Sequence, residues 1–122
     1  MTGIDNRLEQ KIGFDRIRRI ISDKCSTTYA AGRTATETFS AKPSQIRKRL
    51  LLTDEMRLIM MFEDGFPSSG FIDCIDFLKP LENSSSAIDI ISLRKLKTML
   101  DTLRRVTAFF EDVKDGVYPN LK

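Results

Sequence analysis

Eleven basic residues in four short runs are the part of this sequence best equipped for chemistry: Arg16, Arg18 and Arg19; Arg47, Lys48 and Arg49; Arg94, Lys95 and Lys97; Arg104 and Arg105. Cations that converge on one surface bind phosphate, and aromatic side chains among them add stacking affinity for single strands. Here the aromatics fall on apolar stripes, and each basic run falls on the polar face of its helix. The reading that takes precedence is therefore a set of solvated faces. If nucleic acid is touched, the candidate contacts are Arg16, Arg19, Arg47 and Lys48.

Other chemistries lack their residues. The chain has no histidine, which removes Ser-His and Cys-His nucleophile pairs and any imidazole base or ligand. Cys25 and Cys74 alone cannot make a four-ligand zinc site, and both read as small core residues. Asp54 and Glu55 are neighbours on a helix and diverge, so they form no carboxylate dyad. Gly32-Arg33 lacks the several glycines and the lysine of a phosphate loop. Met56, Met60 and Met61 read as core filler at helical spacing. No catalytic, cofactor-binding or metal-ligating residue is expected within residues 1–122, and the segment is not expected to be an enzyme.

Composition points to a single helical domain over residues 1–122. Its 122 residues are 41% hydrophobic and 30% charged, with 6 Gly and 4 Pro. That suits a packed core with solvated outer faces and argues against disorder. The start, Met1-Thr2-Gly3-Ile4-Asp5, has neither a basic opening nor an apolar run. The longest apolar stretch, Leu58 to Phe62, falls far short of the roughly 20 residues of a membrane span. A cytoplasmic chain without disulfides is expected. Charge is segregated: residues 1–62 balance at +5, residues 63–90 at −5 and residues 91–122 at +3.

Positioning the basic runs requires helices, and the spacing predicts an all-α bundle of four to five. A first helix opens near Asp5, pauses at Gly13 and restarts at Phe14, with Phe14, Ile17, Ile21 and Cys25 on one face. Ser26-Thr27-Thr28 offers hydroxyls to cap a helix over Tyr29 to Phe39. Lys42-Pro43 breaks the chain, and Ser44 is expected to cap a long helix from Gln45 to Glu63. Leucines and methionines surround the second half of that helix, which predicts a central, buried element. Asp64 to Gly70 is a loop. A short helix follows over Asp73 to Leu81, and Glu82 to Ser86 breaks the chain again. Ala87 to Ile91 could be a strand by composition, but nothing would pair with it, so an irregular lead-in is expected. Ser92 is expected to cap the last helix, whose stripe is Leu93, Leu96, Leu100, Leu103, Val106 and Phe110, with Asp115-Gly116 stopping it.

The order of these fragments resembles the opening of the type-two MutS proteins. The resemblance is carried by Phe14-Asp15-Arg16-Ile17, Gly32-Arg33, Lys42-Pro43-Ser44 before a long helix, Ile75-Asp76-Phe77-Leu78, Ser92-Leu93-Arg94-Lys95-Leu96, and Tyr118-Pro119-Asn120-Leu121. It covers nearly the whole chain, although the Phe66-Pro67-Ser68-Ser69 wording departs from the glycine-richer loop of that family. The resemblance implies a core or lever segment of a dimeric, recombination-suppressing DNA mismatch repair ATPase. The parent would bind ATP and Mg, act on branched DNA or on ribosomes, and in many relatives carry a C-terminal nuclease domain. None of the family's phosphate-loop or nuclease residues has a counterpart here. Tyr118 to Lys122 looks like the start of another helix, so uncovered apolar surface near Phe109, Phe110 and Val113, and weak self-association, are expected. Two other readings stay open: a stand-alone helical protein-interaction adaptor, and a small basic nucleic-acid-binding domain.

Overall fold

Left-handed backbone at Gly13 (φ 74°) is what divides the first predicted helix in two. An L side chain is disfavoured there, whereas glycine adopts that conformation at little cost. α1 (Thr2–Ile12) ends at this joint, α2 (Phe14–Asp23) leaves it, and α3 (Thr28–Thr36) follows. The computed structural model describes residues 2–83 and 86–122, with side chains from Arg7 onward. Ser84 and Ser85, within the predicted break, lie outside the described residues, as does Met1. The chain forms two compact units, residues 1–38 and residues 39–122. Among the described residues the regular structure is entirely helical, as the spacing predicts: six α-helices and one 3-10 turn, with no strand.

Arg18 holds the first unit together. Its guanidinium donates to Glu9 on α1 through Nη2 (2.5 Å) and Nε (3.3 Å), and through Nη1 to the carbonyl of Thr34 on α3 (2.5 Å). It also lies 5.2 Å over the Phe14 ring. One planar cation with five donors can satisfy partners on three helices at once. The Thr27 hydroxyl accepts from the Ala30 N–H (3.1 Å), which caps α3 as expected.

In the second unit, α4 (Pro43–Phe62) starts with Pro43 in its first turn and Lys42 at its N-cap. The expected Ser44 cap is not used, because proline is already suited to a position whose N–H has no helical partner. α5 (Ile75–Leu78) runs into a 3-10 turn (Lys79–Glu82) that accommodates Pro80. α6 (Ile90–Asp112) begins two residues before the predicted Ser92 cap. Asp89 is the N-cap, accepting from the Ser92 N–H (2.9 Å) and hydroxyl (2.6 Å). The bond from the Ser92 hydroxyl, then that from its N–H, holds the Asp89 carboxyl below the usual carboxylate range. Residues 86–89 form the irregular lead-in.

The burial of α4 differs from expectation. Ile59 and Glu55 are buried, but Leu50 (65% exposed), Met60, Met61 and Phe62 (71% exposed) face outward. Met60 and Met61 are therefore not core filler, and the helix is not enclosed on several sides. Residues 43–51 are exposed throughout. An apolar circumference reports a capacity for burial, and only the Leu52–Ile59 side finds a partner in this unit. That partner includes the segment after α6. The Glu55 carboxylate accepts from the backbone N–H groups of Asn120 (3.0 Å) and Leu121 (2.9 Å) and from Asn120 Nδ2 (2.5 Å). Residues 118–122 form one helical turn, closed by Lys122 N–H to Tyr118 O (3.0 Å). Glu55 thus answers backbone donors of this turn with a full negative charge. The Tyr118 hydroxyl donates to Glu63 (2.8 Å).

α6 packs on the loop between α4 and α5. Thr102, absent from the predicted stripe, is the most buried residue of α6. Its hydroxyl lies 3.0 Å from the Gly70 carbonyl and 2.9 Å from that of Thr98. Gly70 has φ 89°, and a Cβ there would run into Thr102 Oγ1. Pro67 is fully buried. Phe66 meets Phe109 edge-on (5.3 Å) and Phe110 (6.2 Å), and Phe109, Phe110 and Val113, where uncovered surface is expected, are each half-buried.

Gly70→Ala is expected to lower unfolding free energy by about 1–3 kcal/mol through a left-handed non-glycine residue and the clash with Thr102. Glu55→Gln is expected to cost about 1–3 kcal/mol by weakening buried, charge-assisted bonds. Denaturant melts check both. The bond to Glu63, then burial and the Glu63 charge, raises the Tyr118 pKa above its ordinary value, so the folded state holds the phenol proton more tightly. This contribution is fully present below about pH 10 and is lost as pH rises through the raised value. In a Tyr29→Phe background, the tyrosinate absorbance midpoint should exceed 10 and fall toward it on Glu63→Ala.

Candidate nucleic-acid interface

Arg16 and Arg19 sit one turn apart on α2, and both are exposed. A separation of three residues places them about 60° apart around the helix, so they share a face. Arg18, between them in sequence, points away and is spent on Glu9 and Thr34; its side chain is 18% exposed and that of Glu9 is 11% exposed. The first basic run thus divides into one arginine that holds the unit together and two that face solvent. Arg33 lines a small trough on the same unit with Phe14, Arg18, Ile21, Thr34 and Glu37. Arg33 stands outside the basic runs, beside a glycine that belongs to no phosphate loop, and only the fold brings its helix α3 beside α2.

Arg47 and Lys48 lie in the exposed first half of α4. As sequence neighbours they point about 100° apart. Lys48 is in line with Glu55, two turns along the buried side, whereas Arg47 leans toward the opposite side. Helical geometry does not converge this pair on a single phosphate. The candidate residues therefore form a paired patch on α2 and a divergent pair on α4, each within its own unit.

Along the rest of the second unit, opposite charges are interleaved. Arg57 donates to Asp54 (2.7 Å) and Arg104 lies 3.8 Å from Asp101. Arg105 and Lys114 share an open groove with Glu63, Asp112, Phe109 and Val117. Lys122 Nζ donates to Asp115 (2.7 Å), and this bond, with the lysine charge, lowers the Asp115 pKa. Such mixed patches offer little net field to a polyanion.

Neither cysteine is fully enclosed; both are half-buried rather than core residues. Partial burial, with the Asp73 charge beside it, pushes the Cys74 thiol up against a smaller opposing effect of Lys95. A raised pKa disfavours the thiolate and hence nucleophilic character. Among the described residues, no group of three or more carboxylates or cysteines is gathered as a metal site would need. No helix among them is long and apolar enough to cross a membrane.

No protein-family model, no curated protein and no solved structure matches the chain.

The division of the first basic run has a direct test. Arg16→Ala with Arg19→Ala should leave the melting temperature within about 1 °C, because exposed charges contribute little. Arg18→Ala should destabilise the first unit by roughly 2–3 kcal/mol by leaving Glu9 buried without its cation. Thermal melts followed by circular dichroism separate the two outcomes.

Proposed function

We propose that the chain is a helical core segment of a MutS-type, recombination-suppressing ATPase, linking nucleic-acid-binding elements to an ATPase domain outside residues 1–122. The supporting observation is the uncovered apolar surface of α4, where Leu50, Met60, Met61 and Phe62 face outward on a helix that buries Glu55 and Ile59. Elements with two apolar faces are covered by further protein.

The helices have the dimensions the role needs. α4 with 20 residues and α6 with 23 are rods of about 30 and 35 Å. Stiff helices of that length carry a nucleotide-dependent displacement as rigid-body motion. In this reading ATP and Mg bind the parent's ATPase domain, the parent is a cytoplasmic homodimer, and its substrate is branched DNA or a ribosome. Arg16 and Arg19 are the residues best placed to touch phosphate, being exposed and on one face.

The test is to read the gene past the Lys122 codon. A G-x-x-x-x-G-K-[ST] loop a few hundred codons on, followed by an acidic Mg-binding strand, is the expected result. A stop codon at that point would overturn the MutS reading and leave a stand-alone helical adaptor.

A further inference from the structure

α6 carries two apolar faces, and its own unit covers one of them. Met99, Thr102, Val106, Phe109 and Phe110 are half-buried or buried, facing the loop that holds Phe66 and Gly70. On another side, Ile90, Leu93, Lys97, Leu100 and Arg104 follow one another at intervals of three, four, three and four residues. All five are exposed, Leu100 at 56% and the Arg104 side chain at 79%. A shallow trough runs along this side, lined by Ile90, Leu93, Leu96, Lys97 and Leu100 with Arg94 and Asp101 on its flank.

The alternation of three and four is the spacing at which one helix presents a seam to another. The seam spans 15 residues, a rise of about 21 Å or four turns, enough to engage a helix in a groove. Its cations sit in the line of the seam itself. Lys97 lies between Leu93 and Leu100, with Arg104 one turn beyond. Among the described residues Lys97 has no ion-pair partner, and Arg104 has a long contact of 3.8 Å with Asp101 on its own helix.

We propose that this side of α6 is a docking surface for an amphipathic helix of a partner protein that carries carboxylates between its apolar side chains. The leucines require an apolar occupant, and the two cations require that it be acidic at matching intervals. A second copy of the same face packed in parallel brings Lys97 and Arg104 against like charges; packed antiparallel, it sets both cations against Leu100 and Leu93 with no counter-charge in the seam, so self-association through this face would overturn the proposal. A lipid surface is disfavoured too: cations that reach headgroups flank an apolar stripe, whereas these lie along its middle and would enter the acyl region. The surface is independent of whether the chain belongs to a MutS-type ATPase.

The test uses the full chain and a fluorescent synthetic helical peptide of about three heptads, with leucine at its seam positions and glutamate beside them. A counterpart with lysine for glutamate, and vesicles of phosphatidylserine and phosphatidylcholine, complete the set. Fluorescence anisotropy should show the glutamate peptide binding with micromolar affinity and the lysine peptide at least about tenfold more weakly. K97E/R104E should reverse that preference, and Leu100→Gln should weaken binding of either peptide, with circular dichroism unchanged because all three positions are exposed. No binding to the glutamate peptide, binding indifferent to the charge reversal, or binding to vesicles in preference to either peptide would each overturn the proposal.

Discussion

The second unit depends on a carboxylate that α4 buries. Glu55 would be costly to desolvate alone, and its position is tenable because three N–H donors from residues 120–121 converge on it. That constraint fixes much of what surrounds it. It brings the turn after α6 against the second half of α4, and within the same turn Tyr118 reaches Glu63. Lys122, one step further, closes back on the Val113 carbonyl and Asp115 at the end of α6. A short run of residues thereby ties the ends of the two long helices together through polar contacts, while apolar enclosure is concentrated at Ile59, Pro67 and the Phe66 cluster.

The first unit uses the opposite arrangement, a cation among acceptors. Arg18 is to α1, α2 and α3 what Glu55 is to α4 and the last turn. In both units a single charged side chain is surrounded by partners from other segments, 9 and 16 residues away for Arg18 and 65 and 66 for Glu55, and large apolar side chains remain outside. Each unit thus has a determined geometry without a large core.

Local signals in the sequence were legible. The Thr27 cap, the break at Lys42-Pro43, the loop from Asp64 to Gly70 and the all-α class each rest on a few adjacent residues whose preferences are strong. The environment of each face was not. Leucines and methionines around α4 state what the helix could bury, and the number of sides covered depends on elements far away in sequence. Thr102 and Glu55 are polar and look like surface, yet they are buried because Gly70 and residues 120–121 arrive from 32 and 65 positions away. Arg18 cannot be told from Arg16 and Arg19 until Glu9 and Thr34 are placed. For the candidate interface, the sequence identified the cations, and helical geometry decided which of them share a face.

The distance in sequence between Glu55 and its donors has a consequence for the order of assembly on the ribosome. At about 5–20 residues per second, the 65 positions between Glu55 and Asn120 take roughly 3–13 s to synthesise. The first unit closes over spans of 9 and 16 residues and can mature while the rest is being made. α4 emerges in that interval with the Glu55 charge unanswered, and only the arrival of residues 118–122 supplies its donors.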